Sequence, residues 1–328
     1  MCTAISFHTK DHYFGRNLDL EYSYRETVTI TPRGYHFTFR YAPTPNTGFA
    51  MIGMATVAEN YPLYYDATNE KGLSMAGLNF PGNAIYQSEK ADMDNIAPFE
   101  LIPWVLSQCS TLQEAKELLK NCNLINEPFN SDYSLTPLHW FLADNTDSVT
   151  IEPLAAGLKI YENPVGVLTN NPPFDYHMHN LKNYLNLTSG EPENRFAPKV
   201  DLTPYSRGMG AIGLPGDLSS SSRFVKAAFT KLNSRCKDTE SASISQFFHI
   251  LASVAQQEGC VKVGDSYEKT VYTSCCNTTR GIYYYTTYEN SQITAVHLHN
   301  APLNSEKLVC FPLITGQQIK IQNPSMWN

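Results

Sequence analysis

Apolar and polar residues alternate with a period of two through most of the first ninety positions, the pattern of half-buried strands. In CTAISF, Thr3, Ile5 and Phe7 fall on one face and Cys2, Ala4 and Ser6 on the other. HYFGRNLDL, TVTITPR, YHFTFRYA, FAMIGMATVA and GLSMAGLNF read as further strands separated by short turns. The period then changes. In TLQEAKELLKNC, residues Leu112, Ala115, Leu118, Leu119 and Cys122 make one apolar stripe, and Thr111 with Glu114 forms a T-x-x-E capping box. LHWFLAD, SVTIEP, LKIYE and GVLTN return to strand. SRFVKAAFTKLN and SISQFFHILASVAQQ form a second helical block. In the latter, Ser243 and Gln246 offer another capping box, and Ile244, Phe247, Phe248, Leu251 and Ala255 share a face. TVYTSCCN, GIYYYTTYEN and ITAVHL bring the chain back to strands.

Strands, helices, strands, helices and strands in that order predict α+β layering rather than βαβ repeats. There is no internal repeat, low-complexity tract or clear linker, so residues 1–328 are read as one domain. The longest irregular stretch, 185–208, is a functional suspect or an excursion over the surface.

Composition narrows the function classes. Of 328 residues, 42% are hydrophobic and 17% charged, enough for a sizeable core. A net charge of −7 and the lack of any Lys/Arg run argue against a nucleic-acid partner. No window approaches the roughly 18 uninterrupted apolar residues of a membrane-spanning helix. No charged leader followed by an apolar run opens the chain, so a cytoplasmic location is expected. Cysteines at 2, 109, 122, 236, 260, 275, 276 and 310 make no C-x-x-C pair, and all but Cys2 read as reduced structural thiols.

Several motifs fail on inspection. GMGAIG (208–213) matches a dinucleotide fingerprint by letters only, because Pro215 and Gly216 turn the chain where a helix should run. His177 with His179, and His297 with His299, would each share a strand face, but neither pair has the further ligands a metal site needs. No metal is expected.

Cys2 is different. Removal of Met1, which a small second residue permits, would leave a thiol beside a free α-amine. These groups have reference pKa values of about 8.5 and about 7.7–8.0, so one residue can be nucleophile and general base together. Arg16 and Asp19 follow on the next strand. A guanidinium favours a nearby thiolate, and a carboxylate can orient an amine. Strict alternation puts Arg16 and Asp19 on opposite faces, so a bulge or strand end is needed for both to meet Cys2. Asn79, Asn170 and Asn171 supply amide donors of the kind an oxyanion hole uses, and Arg223 opens a helix.

Taken with the blocks MCTAI, DHYFGRNLDLEYSY, YPLYYDATNEKGLSMAGLNFPG, PFELIPWVLSQC, GVLTNNPPFDYH and SRGMGAIGLPGDLSSSSRFVKA, these residues resemble the choloylglycine hydrolase family of conjugated bile acid hydrolases and penicillin V acylases. Asn79 points to the bile salt branch, since penicillin acylase relatives commonly carry Tyr there. The resemblance implies an N-terminal nucleophile hydrolase fold, four layers αββα with two antiparallel sheets between helical layers, assembled as a homotetramer. It implies Cys2 as nucleophile with its own amine as base once Met1 is lost, Arg16 stabilising the thiolate, Asp19 holding the amine, Asn79 with Asn170 as oxyanion hole, and Arg223 bracing the site. Attack on the amide would release glycine or taurine and leave a bile acyl thioester for water to cleave, with no cofactor. Candidate walls for the steroid are Leu18, Leu20, Tyr24, Tyr65, Phe129 and Leu135. The rivals are a penicillin V or other N-acyl amidase of the same mechanism, and a non-catalytic bile acid carrier.

Overall fold

The computed structural model describes residues 1–43 and 48–323. Among them, two antiparallel sheets pack face to face. The first runs from its edge through Val167–Leu168, Cys2–His8, His12–Leu20, Ser266–Asn277, Ile282–Thr287 and Thr294–His297, with Val261–Val263 folded back on the fourth of these. The second runs Gly157–Glu162, Ser148–Leu154, Leu138–Ala143, Ser74–Asn79, Tyr61–Asn69, Met51–Ala58, Thr27–Thr31 and Val309–Pro312. Helices Ser220–Asn233 and Glu240–Ala252 cover the outer face of the first sheet. Leu101–Gln108 and Leu112–Leu119 cover that of the second. This is the αββα sandwich.

Both faces of each central strand are therefore buried, and this shapes the sequence. In the first strand, Cys2, Ala4 and Ser6 face the second sheet, while Ile5 and Phe7 meet the helices; Phe7 packs edge-on against Phe247 at 6.4 Å. Burying such a side chain contributes about 1.5–3 kcal/mol. Ile52 and Met54 likewise lie between the sheets, and Met51 and Ala55 under the other helices. The second strand is buried over all but Leu20, including Arg16, Asn17 and Asp19. Polar residues here are not a solvent face.

Four local expectations need correction. YHFTFRYA is not a strand: residues 35–39 are irregular, although Phe37 and Phe39 are buried. Strand Thr27–Thr31 is already paired on both sides, so the alternation records packing against the core and not a ladder. The last helix begins at Glu240, capped by Thr239, whose side chain accepts from the Ala242 N–H. Ser243 lies inside it, bonded to Thr9, and Ala255 lies beyond its end. Thr111 does cap its helix, but Glu114 accepts from the Ser110 N–H instead of closing the box. Neither histidine pair shares a strand face: His177 and His179 sit on helix Phe174–Asn180, where positions two apart diverge and only His177 is buried, and His299 lies in the 3-10 turn Leu298–Asn300 after His297 ends its strand.

GMGAIG forms a single 3-10 turn, Met209–Ala211, after Gly208 at φ 82°. All eight cysteines are free. The stretch 185–208 is irregular and runs over the surface, with Phe196 and Tyr205 exposed.

The tight approach of the second strand to its neighbour depends on Gly15, where a Cβ would lie 2.1 Å from the Ser274 carbonyl oxygen. Gly15→Ala should cost about 1–3 kcal/mol by overpacking. Differential scanning calorimetry should show the thermal midpoint lowered by several degrees; an unchanged midpoint would mean these strands have room to spare.

Candidate active site

The first hairpin sets the geometry. Cys2 pairs with Leu18 and Ala4 with Arg16, so the Cys2 and Arg16 side chains project from the same face toward the second sheet. Arg16 is fully buried and crosses between the sheets. Its Nη1 donates to the carbonyls of Gly77 and Tyr65, the latter at 3.0 Å, while Nη2 has no partner among the described residues. Burial alone would lower its pKa, but the anionic forms of Cys2, Tyr272, Asp66 and Asp19 outweigh that and hold it above the ordinary value. Arg16 is a permanent cation.

The other face carries Asp19. The partner strand bulges here, its register stepping from Thr270 opposite Asp19 to Tyr272 opposite Leu18. Cys2 begins its strand, so its thiol lies on the Arg16 side, while the Met1 ammonium before it reaches the main-chain carbonyl of Asp19. The Met1 ammonium donates to the Asp19 carbonyl at 2.5 Å and pairs with Glu268 at 2.8 Å. Asp19 Oδ1 accepts from the Thr270 hydroxyl at 2.7 Å, and Oδ2 is buried without a partner among the described residues. Burial raises the Asp19 pKa, opposed by Arg223 and the terminal ammonium.

Asn170 and Arg223 close the amine end from behind. The Cys2 N–H donates to Asn170 Oδ1 at 2.8 Å, and Arg223 Nη2 donates to the same oxygen at 2.8 Å. Arg223 Nη1 reaches the Cys2 carbonyl and the Thr3 hydroxyl. Ser219 caps this helix and places Arg223 in its first turns, pointing at the sheet. Asn170 Nδ2 donates to the Asn79 carbonyl at 2.7 Å, which ties the two asparagines together and leaves Asn170 one further N–H. Asn171 instead donates outward to Pro81.

A cavity of about 250 Å³ opens beside Cys2. Cys2, Arg16 and Asn79 line it, as do all six candidate wall residues: Leu18, Leu20, Tyr24, Tyr65, Phe129 and Leu135. Asp19, Asn170 and Arg223 do not. Further walls come from Leu63, Phe99, Ile102, Tyr133 and Trp140, residues with no local pattern that sets them apart from core. Sequence reasoning also missed Glu268, Thr270 and Asp66. Asp66 accepts from the hydroxyls of Tyr272 and Tyr283 at 2.8 and 2.7 Å behind Arg16. Among the described residues no group of three or more His, Cys, Asp or Glu is arranged for a metal.

A cysteine at position 2, opening an interior strand of an αββα sandwich with an arginine on its own face, is the arrangement of the N-terminal nucleophile amidohydrolase class. The family model for linear amide C–N hydrolases, choloylglycine hydrolase family, matches residues 2–311, and the chain belongs to that family. It is 56% identical over 319 residues to a bile salt hydrolase/transferase of Lactiplantibacillus plantarum, covering 97% of this chain and 98% of that one. A conjugated bile acid hydrolase of Clostridium perfringens superposes with a TM-score of 0.91 at 35% identity, covering 98% of this chain and 100% of that structure. Penicillin V acylase from Agrobacterium tumefaciens shares the fold, with a TM-score of 0.74 at 18% identity over 96% of this chain and 92% of that one.

Two buried histidines near this region make stability depend on acid. His12 bonds Ser6 and Thr278, and burial lowers its pKa to about 3; burial lowers His177 to about 4. The unfolded chain takes up protons near the ordinary value of 6.5, so the native state loses stability as pH falls from there toward 4 and below. The thermal midpoint should drop between pH 7 and pH 4.5. His12→Gln should flatten that slope; parallel profiles would mean that native His12 is already protonated.

Proposed function

We propose that this chain hydrolyses the amide bond of glycine- and taurine-conjugated bile acids through Cys2. The observation that carries the reading is the shared cavity: the Cys2 thiol and the Arg16 guanidinium face the same space, whose other walls are largely apolar. Such a space suits a rigid apolar acyl group with its polar end at the thiol. The bile salt hydrolase names of relatives that match along nearly the whole chain support the substrate class.

In this reading Met1 is first removed, exposing the Cys2 amine beside Asp19. The amine takes the thiol proton, and the thiolate, favoured by Arg16, attacks the amide carbonyl. Asn79, whose side chain makes no hydrogen bond among the described residues, and the remaining N–H of Asn170 donate to the tetrahedral oxyanion. Collapse breaks the C–N bond, and the protonated amine gives its proton to the departing glycine or taurine. Water then adds to the thioester with the same amine as base, releasing the bile acid. Arg223 holds Asn170 and the Cys2 carbonyl throughout. These steps draw on the chain's own groups and water alone.

The cytoplasmic location and the homotetramer belong to this proposal. No helix among the described residues is long and apolar enough to cross a membrane, and exposed Phe196, Leu202 and Tyr205 offer apolar surface for contact between copies.

Cys2→Ser should fold normally and lose nearly all glycocholate hydrolysis, because a hydroxyl is a far weaker acid than a thiol. The assay needs protein whose mass verifies the loss of Met1. Substantial retained turnover would remove Cys2 as nucleophile, and faster hydrolysis of penicillin V than of either bile conjugate would favour the acylase reading.

The wall residues generate a separate expectation. Both conjugates carry the same steroid acyl group and differ at the far end of the amide. Leu20→Ala and Tyr65→Ala should each lower kcat/KM about 5- to 150-fold, equally for glycocholate and taurocholate. A loss confined to one conjugate would put that side chain at the amino-acid end.

A further inference from the structure

Two histidines outside the cavity hold the backbone on either side of the Asn170 amide. His139 is fully buried in strand Leu138–Ala143, and its Nε2 donates to the Thr169 carbonyl at 3.0 Å. His177 is fully buried in the short helix Phe174–Asn180, and its Nε2 donates to the Asn170 carbonyl at 2.9 Å. A carbonyl oxygen only accepts, so both rings must carry a proton on Nε2. Consecutive carbonyls, 169 and 170, are thus each fixed by a buried imidazole.

Each ring is fixed in turn. His139 Nδ1 meets Glu152 Oε1 at 3.3 Å, and that oxygen also accepts from the Phe174 N–H at 2.9 Å, at the start of the helix that carries His177. The His139 ring stacks on Phe80 with centroids 4.3 Å apart and planes 6° apart. Phe80 directly follows Asn79. The His177 ring stacks on Phe224 at 4.6 Å and 18°. Phe224 directly follows Arg223. Burial keeps His177 neutral down to about pH 4, so its pose does not change with protonation at working pH.

We infer that His139 and His177 are positioning residues for the amide-cleaving reaction. Through Thr169 and the Asn170 carbonyl they set the angle of the Asn170 side chain between the Cys2 nitrogen, Arg223 and Asn79. The inference rests on the role given to Asn170 in the proposed function. Neither histidine touches substrate. Both act by holding a donor in place while charge develops on the carbonyl oxygen, so their loss lowers turnover and leaves substrate binding in the cavity intact.

The test compares side chains that differ only in reach. A Gln amide nitrogen reaches about as far as imidazole Nε2, and an Asn amide nitrogen only as far as Nδ1. kcat and KM for glycocholate are measured for His177→Gln, His177→Asn, His139→Gln and His139→Asn, with thermal unfolding to establish the native fold. The Gln variants should keep kcat within about threefold, while the Asn variants lose about 10- to 100-fold in kcat with KM within about twofold. Equal kcat for folded Gln and Asn variants, or a rise in KM at constant kcat, would overturn the inference. If the Asn variants do not fold, the Gln variants decide alone, and a loss beyond tenfold in a folded Gln variant overturns it. Cys2→Ser run alongside separates the two levels. Turnover that survives Cys2→Ser sinks the proposed function, whereas Cys2-dependent turnover indifferent to the histidines sinks only this inference.

Discussion

The buried Arg16 guanidinium is the contact on which the rest of the site depends. It rises from the first sheet and donates into carbonyls of Gly77 and Tyr65 on the second, so one charged group fixes how the two sheets approach beside Cys2. Taking a cation out of water costs several kcal/mol unless partners compensate. Here the compensation is distributed over carbonyl dipoles and the carboxylate of Asp66, itself held by two tyrosine hydroxyls. No single carboxylate forms a close ion pair with Arg16 among the described residues. A direct pair would neutralise the cation locally. The distributed arrangement leaves Nη2 unpartnered and the positive field available to a thiolate on the same face.

The strand end then separates the Cys2 thiol from the main-chain nitrogen. Side chains of an antiparallel pair alternate, so Arg16 and Asp19 can never share a face of one regular strand. Cys2 escapes this limit because its two reactive groups lie at different places: the thiol on the side-chain face, the amine along the backbone. Arg16 stands on the thiol's face, and Asn170 Oδ1 accepts from the Cys2 N–H. With Met1 attached, the ammonium already sits against Asp19 and Glu268, and Asn170 already receives the Cys2 N–H.

Much of this was legible in the sequence because it is local. Period two placed Cys2, Ala4 and Ser6 on one face, and the hairpin partner face followed from it. Apolar stripes located the helix near 112 and those near 220 and 244, though helix starts were read less well. Thr239 caps four residues earlier than the Ser243 pattern indicated, because a Thr at the true start leaves the same hydrophobic spacing downstream. YHFTFRYA shows the limit of alternation, which reports one buried face and is silent on whether a neighbouring strand has a free edge. Glu268, Asp66, His139 and His177 were out of reach for another reason. Each gains its meaning from a tertiary contact, across 267 residues in the case of Met1 and Glu268 and across only seven for His177 and Asn170, and a lone polar residue in a strand or helix carries no trace of it.

The division between sheet and loop also bears on how such a site changes. Cys2, Arg16, Asp19 and Asn79 sit on strands buried in the sandwich, where a shift of one side chain is opposed by packing from both sides. Phe129, Tyr133 and Leu135 sit on an irregular loop over the cavity mouth, held by Arg40, whose guanidinium donates to the carbonyls of Pro128 and Phe129 and pairs with Glu127. In the proposed function, substitution in that loop alters the shape offered to the acyl group and leaves the strand-borne Cys2 and Arg16 in place. Leu18, Leu20 and Tyr65 also wall the cavity but sit on the strands, under the same packing constraint as Cys2 and Arg16. The cavity can therefore vary most freely at the loop, where Phe129, Tyr133 and Leu135 are free of the packing that fixes the strand-borne walls.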